Sequence, residues 1–166
     1  MSEFTAENGE SWVYTGPEQG MTQSQAESFA AYFARKQPGE FRHGDCVGGD
    51  ATAHSIVTGL STIPVFKHPQ NGSSYHAWCY GGTELPAKLA LERNRDMVNV
   101  AKQHGNPRLV ATPPVETEGM LSRVLDPRFS RALGGWGATI RYALKVGVPV
   151  TVIWRDGRVD EDWSVK

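Results

Sequence analysis

A three-layer α/β/α fold around a mainly parallel five-stranded sheet is what the 166-residue sequence predicts. Three observations carry this. Short apolar, β-branched runs alternate with segments of helical apolar spacing along the whole length. Glycine-rich turns sit where a strand hands over to a helix, as at Gly44, Gly48 and Gly49 and again at Gly134, Gly135 and Gly137. Apolar residues make up 39% and charged residues 21%, the balance of an ordinary globular domain.

Residues 1–10 are polar and acidic, so they are expected to form a flexible tail rather than a signal peptide, with a single domain over 11–166. Ser11 to Thr15 is a β-branched and aromatic run closed by Gly16-Pro17, a first strand and its turn. Thr22 and Gln25 have capping-box spacing. They open a helix whose apolar face is Ala26, Phe29, Ala30, Phe33 and Ala34, ended by Pro38-Gly39. A short strand through Phe41 enters His43-Gly-Asp-Cys-Val-Gly-Gly-Asp50, and a second helix turns Ala53, Ile56, Val57 and Leu60 inward.

Ile63 to Phe66 is the third strand. Residues 68–85 have no period and carry Tyr75, His76, Trp78 and Tyr80, and so long an excursion in a compact domain points to function. A helix is predicted from about Pro86, with Ala87, Ala90, Leu91, Met97, Val98 and Ala101 on one face. Leu109 to Thr112 is the fourth strand, and residues 115–130 are a second irregular excursion. Trp136, Ile140, Ala143 and Leu144 then give a helix, and Val148 to Trp154 the fifth strand. Asp156-Gly157 is a two-residue hairpin turn, so the chain through Trp163 can pair antiparallel at the sheet edge.

Composition removes several function classes. A net charge of −1 argues against a partner of long nucleic acid. No apolar run reaches the ~20 residues of a membrane helix. Cys46 and Cys79 make no disulfide framework and fit no zinc-ligand spacing. A cytoplasmic location is the default expectation, and no cofactor is implied.

Right-handed crossovers in a parallel sheet bring every strand-to-helix turn to one edge, where ligands bind at the reversal of strand order. Gly16, Gly44, Gly48, Gly49, Gly134, Gly135 and Gly137 all fall there. A glycine turn opening a helix leaves unpaired N–H groups at a positive dipole end, which suits phosphate. Arg131 and Arg141 flank the second cluster as phosphate contacts or as surface charges, and Thr139 contacts the ligand, caps or packs. Arg93 can reach an anion or stay solvated. Asn94 interrupts an apolar stripe and needs a specific partner, a neighbouring turn or a ligand.

Asp45 lies between clustered glycines, placed to accept from a ribose hydroxyl or protonate a leaving base. Asp50 and His54 are one helical turn apart, as an acid/base pair, a metal site with His43, or a helix cap beside a partly exposed histidine. For metal, the capping alternative is favoured, because no third ligand is forced into place. Tyr75, Trp78 and Tyr80 either stack on a base or pack against the core or a second subunit. Trp12 and Trp154 belong to the core.

Tyr14-Thr-Gly16, the His43–Asp50 run, Leu91-Glu-Arg-Asn-Arg-Asp96, Leu109-Val-Ala-Thr-Pro113 and Gly134-Gly-Trp-Gly-Ala-Thr-Ile-Arg-Tyr142 together resemble the SLOG superfamily. Its members include the Lonely Guy phosphoribohydrolases, DNA-processing protein A and nucleotide-sensing domains of antiphage effectors. The resemblance spans about residues 11 to 154 and is strongest to small bacterial and phage members. It implies a Rossmann-like domain binding a nucleotide-type small molecule, as a homodimer or higher homo-oligomer.

Lonely Guy enzymes carry Gly-Gly-x-Gly-Thr-x-x-Glu and an arginine on the preceding helix. Gly134, Gly135, Gly137 and Arg93 match, but Ala138 replaces the threonine and Arg141 the glutamate. A cation opposes the oxocarbenium-like centre that the carboxylate would stabilise. The expected chemistry is therefore hydrolysis at an N-glycosidic bond with Asp45 or Asp50 in the carboxylate's role and Arg93 on phosphate. The alternative is a non-catalytic sensor or sequestering protein for a cyclic or ADP-ribose-derived nucleotide. A metal-dependent hydrolase built on His43, Asp45, Asp50 and His54 ranks last.

Overall fold

The structure, a computed structural model, describes residues 9–126, 128 and 135–165. Its elements run β1 (Ser11–Thr15), α1 (Gln23–Lys36), β2 (Glu40–His43), α2 (Gly49–Leu60), β3 (Val65–Lys67), β4 (Thr83–Glu84), α3 (Ala90–His104), β5 (Pro107–Ala111), α4 (Glu118–Leu125), α5 (Gly135–Lys145), β6 (Val150–Ile153) and β7 (Val159–Asp160). The strands form one sheet in the order β4-β3-β2-β1-β5-β6-β7. All neighbours pair in parallel except β6 and β7, which form the expected antiparallel hairpin at Asp156-Gly157.

Side-chain alternation along the central strands feeds two cores. Trp12, Tyr14, Phe41, Val110 and Ile153 point to the α1/α2 face and pack with Phe29, Tyr32 and Val57. Val13, Leu109, Ala111, Val150 and Val152 point to the opposite face and pack with residues of α3, α4 and α5, including Val98, Leu121 and Ile140. Trp12 and Trp154 are buried, as expected. The capping box is formed: Gln25 N donates to Thr22 Oγ1 at 3.0 Å, and Thr22 N to Gln25 Oε1 at 2.9 Å.

The sheet has seven strands among the described residues where five were expected. Beyond those five, β7 is the antiparallel edge strand expected after Asp156-Gly157, whereas β4 arises inside the expected irregular segment 68–85 by pairing Phe66 with Thr83. Helix α4 lies inside the second expected irregular segment. Thr117 caps it by accepting from Met120 N at 3.1 Å, and Leu121 and Leu125 anchor it. Helix α3 begins at Ala90 rather than Pro86, and Leu91 is exposed because the inward stripe runs through Arg93, Asn94, Met97, Val98 and Ala101. Leu60, the last residue of α2, is also exposed. Glu10 is tied in: its carboxylate accepts from Arg108 Nε at 2.8 Å and Trp12 Nε1 at 3.1 Å. No helix among the described residues is long and apolar enough to cross a membrane.

Candidate functional site

Strand order reverses between β1 and β5, and a cleft of about 420 Å³ opens there at the carboxyl edge. Its walls include Thr15, Gly16, Gly44, Asp50, Arg93 and Gly135, so residues from both expected glycine turns share one cavity.

Most of the glycines are explained by the protein's own packing. Tyr14 reaches from β1 to Thr112, with its hydroxyl 2.5 Å from Thr112 Oγ1, and burial raises its phenol above the ordinary range. A Cβ at Gly16 or Gly49 would run into that hydroxyl. At Gly44 it would meet the Arg93 guanidinium, and at Gly48 the Glu18 carbonyl. Gly48 also has φ +87°, a left-handed conformation that side chains disfavour.

Five amides of the β2–α2 turn, expected to cradle phosphate, are paired within the protein. Gly44 N and Cys46 N donate to Asp50 Oδ2 at 3.1 and 3.2 Å. Asp45 N donates to His43 Nδ1, Val47 N to Tyr75 O and Gly49 N to Pro17 O. Gly48 and Gly49 stand outside the cleft lining.

The two candidate carboxylates separate. Asp45 is fully buried and turned away from the cleft. Its Oδ1 accepts from Cys79 N at 2.9 Å and its Oδ2 from His76 Nε2 at 2.7 Å, so it anchors the 75–80 segment. Asp50 lines the cleft. Burial pushes its carboxyl up to about 6, against the pull of Arg93 and the two amide bonds. It caps the turn rather than α2's own N-terminus, which Gly48 occupies.

His54 is buried, not partly exposed, and belongs to a hydrogen-bonded chain. His43 Nδ1 accepts from Asp45 N, so its proton sits on Nε2 and is donated to His54 Nδ1 at 2.9 Å. His54 Nε2 then donates to Tyr80 O at 2.7 Å. Burial and the neighbouring His54 hold His43 down to about 3, so it stays neutral.

Arg93 is buried rather than solvated. Nη1 donates to Gly44 O at 2.8 Å and His68 O at 3.0 Å, Nε to Asn94 Oδ1 at 2.7 Å, and Nη2 meets the Cys46 sulfur at 4.0 Å. Burial holds the Cys46 thiol above its ordinary range, which favours the thiol over the thiolate. Asn94 meets the expected backbone partner, Nδ2 donating to Gly135 O at 3.4 Å.

On α5, Gly135 and Trp136 face the cleft. Gly137 is buried, Thr139 Oγ1 donates to Gly135 O at 2.8 Å, and Arg141 stands half-buried outside the cleft lining. Arg131 and Gly134 lie outside the described residues. The aromatic trio splits as well: Tyr75 lines the cleft, whereas Trp78 and Tyr80 are 72% and 98% exposed.

Glu18, Gln19, Gln70 and Trp136 also wall the cleft and were missed. The first two follow Gly16-Pro17 directly, so their position past β1 was the available signal. Trp136 read as one more apolar position of a helix. In comparisons with known proteins, no family model matches the chain and no curated protein matches it.

Proposed function

We propose that the chain binds a nucleotide or nucleotide-derived small molecule in the β1/β5 cleft and hydrolyses its N-glycosidic bond, with Asp50 as proton donor. The observation that carries this is a buried carboxyl with its pKa raised to about 6, lining the cleft at the strand-order reversal together with a buried arginine. Arg93 Nη2 and the first turn of α5 supply positive potential for phosphate. The rings of Tyr75 and Trp136 offer faces for a base. In the reaction, water adds to the anomeric carbon as the C–N bond breaks. Asp50 protonates the departing nitrogen, and the proton lost by water restores the acid.

The test is incubation with a panel of nucleoside monophosphates, with free base followed by chromatography and binding by thermal shift. Base release by the native protein, lost in Asp50→Asn while thermal stabilisation persists, is expected. Indifference to every nucleotide overturns binding. Stabilisation without base release selects the second proposal, a non-catalytic nucleotide sensor or sequestering protein. That alternative is favoured by Asp50 Oδ2, which already holds two amides of its own turn, and by the absence of a carboxylate at position 141. Assembly as a cytoplasmic homodimer is part of the same proposal, supported by the exposed Leu89, Leu91 and Tyr80, and sedimentation tests the dimer.

A further inference from the structure

We propose that Asp45, His76 and Glu84 form a binding site for a divalent transition-metal ion, separate from the β1/β5 cleft. The three come from different segments: the β2–α2 turn, the excursion after β3, and β4. Their donor atoms lie within 4.8 Å of one another. His76 Nε2 is 2.7 Å from Asp45 Oδ2 and 3.6 Å from Glu84 Oε1.

Each donor is aimed by something else. Cys79 N holds Asp45 Oδ1 at 2.9 Å, which turns Oδ2 towards the imidazole. Such outer bonds are what orient ligands in metal sites. Trp78 stacks on the His76 ring with centroids 3.6 Å apart and planes 17° apart, fixing the imidazole's plane. Parallel pairing of Lys67 with Glu84 sets the third donor.

His76, Trp78 and Glu84 wall a depression of about 650 Å³, so coordination positions remain open to water. One nitrogen and two carboxylates with open positions suit zinc or manganese. Two carboxylates beside the imidazole also supply negative charge that a dication offsets. In the ion-free state His76 Nε2 meets Asp45 Oδ2, and an entering ion takes that nitrogen while the imidazole keeps its proton on Nδ1.

A neighbouring trio, His43, His54 and Cys79, is equally compact but unsuited. The Asp45 N–H bond to His43 Nδ1 forces the His43 proton onto Nε2, where a metal would need a lone pair. None of Asp45, His76 and Glu84 lines the nucleotide cleft, so the two proposals stand or fall separately.

The experiment is calorimetric titration of Zn²⁺ into chelator-treated full-length protein. Binding of a single equivalent is expected. Glu84→Gln, at a half-exposed position, and His76→Asn should each weaken it by more than about tenfold while circular dichroism stays native. The absence of Zn²⁺ binding, or an affinity unchanged in folded Glu84→Gln, overturns the site. If His76→Asn unfolds, Glu84→Gln alone decides.

Discussion

Arg93 and Asn94 are adjacent on α3, yet each grips a different glycine turn. Arg93 Nη1 donates to Gly44 O at 2.8 Å, and Asn94 Nδ2 donates to Gly135 O at 3.4 Å. The Arg93 Nε bond to Asn94 Oδ1 at 2.7 Å ties the two grips together. One helix turn of α3 therefore sets the separation of two cleft walls, and both residues occupy inward positions that apolar side chains would otherwise fill.

Arg93→Met should test that coupling. The variant leaves Gly44 O and His68 O without their buried donor, a loss of roughly 2–4 kcal/mol in urea unfolding. Arg93→Lys restores a cation but not the planar fork, so it should recover only part of the loss. A Met variant as stable as the parent would show that these bonds do not hold the wall.

Gly49 and Tyr14 should behave as a coupled pair. A methyl at Gly49 meets the Tyr14 hydroxyl first, whereas the next contacts, Tyr14 Cζ at 3.3 Å and Gly16 Cα at 3.4 Å, are nearly tolerable. Gly49→Ala is expected to cost about 1–3 kcal/mol by overpacking, and Tyr14→Phe about 1 kcal/mol through its lost bond to Thr112. In the Phe background the alanine should cost less, so the double variant is more stable than the sum predicts. Simple additivity would place the clash elsewhere.

What was legible in the sequence was local. The Thr22 capping box, the Asp156-Gly157 hairpin and the two-faced alternation of β1, β5 and β6 are written within a few residues of each other. The glycine positions at the sheet edge were legible too, but not their reason. Gly16 and Gly49 are glycines because Tyr14 passes between them, and the amides of Gly44, Cys46, Val47 and Gly49 are taken by Asp50, Tyr75 and Pro17. Those partners are set by the fold and leave no periodic mark. His54 and Asp45 were misplaced for the same reason: their burial depends on Tyr80, His76 and Cys79 from a segment without period.

His68 should make the protein sensitive to acid. Burial, with Arg42 and Arg93 nearby, pulls its pKa down to about 3 from 6.5, and its Nε2 accepts from Arg42 Nη1 at 3.1 Å. The unfolded chain binds a proton that the folded chain refuses. Stability from this group is complete above pH 6.5 and is lost as pH falls towards 3, at up to roughly 1.4 kcal/mol per pH unit. His68→Gln keeps an oxygen for Arg42 and should remove this part of the slope in urea unfolding at pH 4 to 6. An unaltered slope would mean that His68 protonates in the folded state.

Asp50 should work in the opposite direction. Its pKa is raised from 3.8 to about 6, chiefly by burial, so the folded chain holds a proton that the unfolded chain has released. The stabilising contribution is complete below pH 3.8 and is lost as pH rises through about 6, on the order of 3 kcal/mol in all. Asp50→Asn keeps an oxygen to accept from Gly44 N and Cys46 N but carries no charge. The variant should therefore be at least as stable as the parent at pH 8, with the two converging near pH 4. A general acid at this position also makes base release fall as pH rises through about 6, while nucleotide binding by Asp50→Asn persists. Marked destabilisation of the variant at pH 8 would show that attraction between an ionised Asp50 and Arg93 outweighs desolvation, which leaves no proton there for the leaving base.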